Sequence, residues 1–310
     1  MKTLFIINPT AGNGKALKKW RQFKETIHFP YEMKLTKHHG HATEMVKALH
    51  FLSESVLIVG FGGDGTLREI IVGAAGADHL IVGSVAAGSG NDFGRGFYSF
   101  LDAKAIAVFL EGPKWLSEDL GEFTNDGRWQ FVSSSGIGFD AEISVLVNRS
   151  PAKKWLNKIG AGKIVYLLYV IKTLARFEQF QLTVETANEQ RTFENVWFAT
   201  VSNQPYFGGG MKISPNSKTD DGLMELTLVH NLRRLKLLFI FGTVFTGTHT
   251  RFKEVVQMSG PEFKLTSDRA VYRHVDGDGA GKTPMNEAAI YSVSNNHWKS
   301  AIIEKKEDAK

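Results

Sequence analysis

The sequence predicts two domains: an N-terminal α/β domain with a doubly wound sheet, then a β-rich, sandwich-like domain. Three observations carry this reading. Over the first 110 residues or so, short aliphatic runs alternate with helical stretches, as in parallel strands joined by crossover helices. Three of those runs end in glycine-rich loops, at residues 8–14, 62–66 and 86–92. Beyond about residue 120, strand-like segments separated by turn signals dominate instead. A chain of 310 residues is long enough to bury two modest cores.

Taken in order, Leu4-Phe-Ile-Ile7 is a strand stopped by Asn8-Pro9, and a helix follows over 15–26. A strand over 31–36 and a helix over 42–52 repeat the unit. The run Val56-Leu-Ile-Val-Gly60 then meets Phe61-Gly-Gly-Asp-Gly-Thr66, and apolar spacing at Leu67, Ile70, Ile71 and Ala74 opens a helix. A strand over 80–85 and a helix over 103–110 complete the alternation. The texture changes across 113–119. Strands are then expected over 129–133, 181–185, 196–202, 223–229, 262–266 and 270–275. Asn125-Asp-Gly127, Gly208-Gly-Gly210, Asp220-Asp-Gly222 and Asp276-Gly-Asp-Gly279 supply the turns between them. The expected division is 1–120 and 121–289, with residues from about 290 to 310 returning to the first domain and a frayed tail over 304–310.

The chain has no cysteine, which excludes disulfides, thiolate metal sites and cysteine nucleophiles and fits a reducing cytoplasm. Its first apolar run is too short for a signal peptide. The net charge is +5, unevenly placed. From 149 to 176 stand Arg149, Lys153, Lys154, Lys158, Lys163, Lys172 and Arg176 with no acid; from 226 to 253 stand Arg233, Arg234, Lys236, Arg251 and Lys253, again with none. Both stretches mix bases with large apolar residues and read as helices, and neither is apolar for long enough to span a bilayer. They fit either attraction to an anionic membrane surface or core helices with solvated basic faces. No nucleic-acid reader motif accompanies the charge, so nucleic acid is not an expected partner.

Glycines let a backbone approach a ligand closely, and a helix N-terminus favours anions. The loop at 62–66 therefore suits phosphate, and its Asp64 calls for a cation or a donor group between it and that phosphate. Gly60-Phe-Gly-Gly-Asp-Gly65 is a literal dinucleotide fingerprint, but the next strand ends in a second glycine loop where the fingerprint needs a ribose-binding acid. Gly12-Asn-Gly-Lys15 fails as a P-loop, because Pro9 replaces its first glycine and Ala16 its hydroxyl residue. Asp276-Gly-Asp-Gly-Ala-Gly281 with Glu287 has calcium-loop spacing, yet Ala280 cannot be a ligand and the residues upstream read as a strand. A hairpin turn is the plainer reading there. His38-His39-Gly-His41 has no visible partner cluster and reads as a solvated loop rather than a zinc site.

Taken together, Gly62-Gly-Asp-Gly-Thr66 with Glu69 resembles the signature of the diacylglycerol kinase catalytic-domain family, which includes bacterial lipid kinases and the sphingosine and ceramide kinases. The resemblance continues through Asn8-Pro-Thr-Ala-Gly12, Thr36 with Gly40 and Ala42, Gly88-Ser-Gly-Asn-Asp-Phe93 and Gly136-Ile-Gly-Phe-Asp-Ala141. It extends to Ser202-Asn203, Gly208-Gly-Gly-Met211, Asp221-Gly-Leu223 and Asp276-Gly-Asp278, in the family's order over nearly the whole chain. It implies an active site in a cleft between the domains, and ATP- and Mg²⁺-dependent phosphorylation of a lipid hydroxyl, on diacylglycerol or a related lipid.

By the same resemblance, Asn8, Pro9, Thr10, Ala11, Gly12, Thr36, Gly62, Gly63, Asp64, Gly65, Thr66, Leu67, Arg68, Glu69 and Ser89 hold the nucleotide. Asp64 orients the site and meets Mg²⁺, and Asp278 is the general base. A structural Mg²⁺ lies at Asp221 with the main-chain carbonyls of Lys218 and Leu223. Two positions depart from the family: Asp278 replaces the glutamate usual in bacterial members, and Arg68 stands where asparagine is common. The resemblance further implies a cytoplasmic protein, peripheral at the inner face of an anionic membrane, and it allows a homodimer. An NAD kinase shares a Gly-Gly-Asp-Gly loop and the two-domain plan, and a non-catalytic lipid- or nucleotide-binding relative is the other alternative.

Overall fold

The computed structural model describes residues 1–87, 92–125, 127–150 and 162–303, and the chain divides into two compact units. Ser89 with its neighbours at 88–91, the bases Lys153, Lys154 and Lys158, and the tail over 304–310 lie outside the described residues. So does the side chain of Lys163.

The first unit comprises Met1–Asp119 and the residues from Asn295 onward. Its elements are β1 (Lys2–Ile7), α1 (Lys15–Phe23), β2 (Glu32–Leu35), α2 (His41–Lys47), β3 (Val56–Gly62) and α3 (Asp64–Ala74). They continue with β4 (Leu80–Ala86), a single turn α4 (Phe93–Gly96), α5 (Ala103–Glu111) and β5 (Lys114–Glu118), and the chain's last strand, β17 (Trp298–Ile302), completes them. The sheet runs β2-β1-β3-β4-β17-β5, parallel throughout except for the antiparallel pair of β17 with β5. Every residue of β3 is buried, as befits a central strand covered on both faces. Phe5, Leu57, Val59 and Phe61 on the sheet pack with Trp20 and Phe23 of α1 and with Ile106 and Phe109 of α5.

Three boundaries differ from the sequence reading. The first helix stops at Phe23 and tightens to a 3₁₀ turn over Lys24–Thr26. The second stops at Lys47, after which Leu49 and His50 make shorter-range bonds to Val46 and Lys47 and leave Phe51 in solvent. The region 113–119, read as a transition, holds β5: a mostly exposed strand whose partner, β17, lies at the far end of the chain.

The second unit, Leu120–Ser294, is built on a sheet ordered β15-β14-β8-β10-β9-β13-β16-β6-β7, with β11 and β12 extending from β10. Here β6 is Gly121–Thr124, β7 Arg128–Phe131, β8 Ser134–Gly138, β9 Phe180–Glu185 and β10 Gln190–Ser202. The rest are β11 Met224–His230, β12 Val255–Gly260, β13 Glu262–Ser267, β14 Tyr272–Val275, β15 Asp278–Lys282 and β16 Ala288–Val293. The helices of this unit are α6 (Phe139–Arg149), α7 (Gly162–Arg176) and α8 (Arg234–Thr243). The acid-free stretch over 226–253 is thus only partly helical, since β11 occupies its start and 3₁₀ turns its end. Phe139, Phe177 and Trp197 form an aromatic cluster that seats α6 and α7 on β10.

Candidate active site

In the first unit the chain goes from β1 outward to β2, then back across β1 to β3. The strand order reverses between β1 and β3, and in open α/β sheets ligands bind at the carboxyl ends of strands at that reversal. The loops that follow these two strands are the ones singled out in the sequence. Asn8 ties them together: its Nδ2 donates to Thr66 Oγ1 at 3.0 Å, while its Oδ1 accepts from the Thr10 main chain at 3.0 Å and the Thr10 hydroxyl at 2.9 Å. Thr36 joins through its main chain, whose N–H donates to Ile7 O.

Two glycines here are required by geometry. A Cβ on Gly62 would lie 2.6 Å from the Thr66 side chain, and Gly12 has φ +59 with Ala87 O 2.9 Å from where its Cβ would be. Gly63 caps α3, so the N-terminal turn of an eleven-residue helix opens toward the reversal point. Asp64, the first residue of α3, accepts from Phe93 N–H at 3.0 Å, which fastens the loop after β4 to the loop after β3. Leu67 is a core residue beneath Gly60, so only its main chain is available to a ligand. Glu69 accepts from Gly40 N–H at 2.8 Å and Ala42 N–H at 3.1 Å, and its own carbonyl accepts from the Thr43 hydroxyl. Its carboxylate thereby serves as the missing side-chain cap of α2.

In the second unit Asp276 and Gly277 have φ 48 and 84 and link β14 to β15 in a two-residue hairpin, with Val275 opposite Asp278. The Asp276 carboxylate accepts from the main-chain N–H groups of Val132, Ser133 and Ser134 at 2.8–3.0 Å. That leaves Asp278, the first residue of β15, exposed on a hairpin clamped at its turn. At the other loop, Gly222 has φ +70 and the exposed Asp221 accepts from Leu223 N–H at 3.1 Å. Glu225, buried nearby, is raised by burial foremost, with the charge of Asp221 acting in the same direction. The charge of Lys218 opposes that shift, so the Asp221 loop presents both signs at this corner.

Sequence reasoning gave no role to a polar cluster beneath α6. Asp140 Oδ2 accepts from Thr200 Oγ1 at 2.7 Å and lies 3.2 Å from His274 Nε2, while Oδ1 accepts from Ala141 N–H at 2.8 Å. His274 is fully buried and stacks on Phe207 at 4.8 Å. Gly136 makes room for it, since a Cβ there would meet His274, Thr200 and Asp140 all within 3 Å. These residues come from α6, β10 and β14, so no local spacing could announce them.

Asp140 also lines an apolar pocket of about 700 Å³, counting its mouth. The walls come from α6 (Phe139, Ile143), α7 (Val170, Leu174) and α8 (Leu237, Ile240), among others. His249 lies at this wall; burial lowers its pKa against the opposing bond to Ile213 O at 3.1 Å. Among the described residues, Asp140 is the one carboxylate in the lining of this pocket.

Comparison with known proteins adds family context. Residues 2–114 match the model of the diacylglycerol kinase catalytic domain, and residues 133–293 match that of the YegS C-terminal NAD kinase beta sandwich-like domain. YtlR of Bacillus subtilis, provisionally named a lipid kinase, is 32% identical over 92% of this chain and 96% of its own. A diacylglycerol kinase of Mycobacterium tuberculosis is 26% identical over 93% of this chain and 92% of its own. Among solved structures, a diacylglycerol kinase from Bacillus anthracis superposes with a TM-score of 0.68 at 18% identity, covering 96% of each chain. Yeast NADH kinase complexed with NADH gives 0.54 at 10% identity, over 99% of this chain and 84% of that one. At such identities these two likenesses speak for the fold alone.

Proposed function

The chain belongs to the diacylglycerol kinase catalytic-domain family, and on that premise we propose that it transfers the γ-phosphoryl group of ATP to a hydroxyl of diacylglycerol or a related lipid. The observation that carries the lipid half of this reading is the pocket in the second unit. A cavity walled by aliphatic and aromatic side chains, with the fixed Asp140 carboxylate in its lining, fits an acyl chain ending in a polar head. Asp140, held by Thr200, Ala141 and His274, would accept a hydrogen bond from a headgroup hydroxyl.

ATP would lie at the strand reversal of the first unit. The main-chain N–H groups of Gly12 and of residues 63–65 would hold its phosphates, with Thr36, Arg68 and, by the resemblance, Ser89 as further contacts; Pro9 has no N–H, and those of Asn8, Thr10, Ala11 and Thr66 donate to Phe61 O, Asn8 Oδ1, Asn8 O and Gly63 O. Glu69 would act through α2, whose N-terminus it braces. Phosphoryl transfer asks for positioning and charge neutralisation more than covalent chemistry. Mg²⁺, when bound by Asp64 together with the phosphates, neutralises charge that develops between the β- and γ-phosphates. A structural Mg²⁺ would be held by Asp221 and the carbonyls of Lys218 and Leu223. Asp278 would take the proton of the lipid hydroxyl as its oxygen bonds to the γ-phosphorus; the bond to the bridging oxygen breaks and ADP leaves. Aspartate has the same proton chemistry as the glutamate common at this position, on an arm one methylene shorter.

The test is Leu238→Trp, which places an indole in the pocket from its half-exposed wall. The expected result is a KM for lipid raised by about tenfold, the cost of losing roughly one or two buried methylenes, with the KM for ATP unchanged. An unchanged lipid KM in a folded variant would remove the acyl chain from this pocket.

A further inference from the structure

In the sequence His38-His39-Gly-His41 has no partner and reads as a solvated loop; in the fold it acquires one. His41 is the first residue of α2, and Glu44 stands one turn further along the same helix face. The ligand atoms of His38, His41 and Glu44 lie within 4.8 Å of one another, and all three side chains are at least partly open to solvent. His39 is directed instead at Glu69, with its Nδ1 4.0 Å from Oε1.

The backbone that carries these groups is held in place. Gly40 turns the loop into α2 with φ 84 and donates its N–H to Glu69 at 2.8 Å, while His41 N–H donates to His38 O at 3.3 Å. The ring protons follow from the neighbours. His38 Nδ1 lies 3.0 Å from His39 O; a carbonyl only accepts, so Nδ1 carries the proton and the lone pair of the neutral ring is on Nε2. A bond from the other ring nitrogen to a carbonyl is what orients metal-binding histidines. His38 Nε2 is 3.9 Å from Glu44 Oε2, too long for a hydrogen bond. An ion pair there would need a second proton on the ring, and as an exposed pair it would hold little. Two ligands of a tetrahedral zinc stand about 3.3 Å apart, so a small closure brings this pair to that spacing. His41 Nδ1 accepts from Lys37 N–H at 3.0 Å, which places its lone pair on that nitrogen. Ligation exchanges this surface bond for one to the ion, and the N–H of the exposed Lys37 turns to water.

We propose that His38, His41 and Glu44 bind a divalent transition-metal ion of the zinc type, with water completing the coordination. Two imidazoles and a carboxylate suit such an ion, whereas Mg²⁺ and Ca²⁺ take oxygen ligands. The two rings lie stacked, with centroids 4.7 Å apart at 19°, so convergence on one ion turns an exposed ring about χ2, which is a soft torsion. The bound ion ties the loop after β2 to the first turn of α2, beside the cap that Glu69 provides. This site is separate from the Mg²⁺ expected with the phosphates and requires neither nucleotide nor lipid.

The chain has no cysteine, so zinc uptake reports imidazole and carboxylate sites alone. Equilibrium dialysis of the untagged chain against Zn²⁺, in excess Mg²⁺ and near neutral pH, should retain one Zn²⁺ tightly. His38→Gln and Glu44→Gln should each weaken that binding at least tenfold, and His28→Gln, exposed elsewhere in the first unit, should leave it unchanged. With Cu²⁺ as probe, the nitrogen splitting in the electron paramagnetic resonance spectrum should count two imidazoles in the wild type and one in His38→Gln. Zn²⁺ should raise the unfolding temperature of the wild type and not that of His38→Gln. No retained Zn²⁺, unchanged affinity or nitrogen count in His38→Gln, or displacement of Zn²⁺ by Mg²⁺ would overturn the site.

Discussion

Asp276 and Asp278 stand two positions apart in one hairpin, and only the structure separates their roles. Asp276 spends its carboxylate on three main-chain N–H groups and sits at φ 48, where alanine is strained. Asp276→Ala should therefore destabilise the second unit by about 2–3 kcal/mol, seen as a shifted urea midpoint. Asp278→Asn should leave that midpoint in place and lower lipid phosphorylation by about 10²–10⁴-fold, because an amide cannot take the hydroxyl proton. Wild-type turnover in this variant would end its role as base. In the sequence both aspartates belonged to one motif, and nothing in the spacing said which was structural. Glu69 teaches the same lesson. The family resemblance implied a nucleotide contact for it; in the structure its two oxygens accept from Gly40 and Ala42. Glu69→Gln keeps one acceptor and loses the charge at the α2 N-terminus, so it should cost about 1–2 kcal/mol by chemical denaturation.

Among the elements, β1, β3 and β4 were legible because each is a largely aliphatic run followed by a glycine-rich loop. Strands β5 and β17 were not, since β5 is mostly exposed and its register is set by a partner at the other end of the chain. The pocket was equally silent, because its walls come from α6, α7 and α8 and from strands far apart in sequence. The segment around His249, which joins α8 to β12, gives a test of this packing. Burial holds His249 below its ordinary value of 6.5, and His230 at the end of β11 is lowered for the same first cause. A histidine kept neutral by folding contributes stability that is whole above the unfolded pKa and is lost as pH falls below it. These two histidines should accordingly cost the second unit stability as pH falls through the ordinary imidazole value of about 6.5. His249→Gln, which keeps a donor for Ile213 O but cannot titrate, should flatten that slope in urea melts. An unchanged slope would place the proton uptake elsewhere.

For the whole molecule, the division of labour between two differently built units was visible from the change in texture near residue 120. The glycine loops were readable because glycines and an aspartate recur in fixed order after parallel strands, and Asn8 joins two of those loops at the strand reversal. The lipid half was less readable, since an apolar cavity needs bulk rather than order and scattered side chains supply it. The acid-free charge over 226–253 was legible in the sequence, but only exposure distinguishes Leu235 and Phe239 from the core residues beside them. The most direct measurement is incubation of the chain with γ-labelled ATP and Mg²⁺ in mixed micelles containing diacylglycerol and related lipids, with NAD present in the same tube. Label extracted into the organic phase, and lost in Asp278→Asn, is the expected result. Label recovered in NAD, or bound ATP with no transfer to any acceptor, would contradict it.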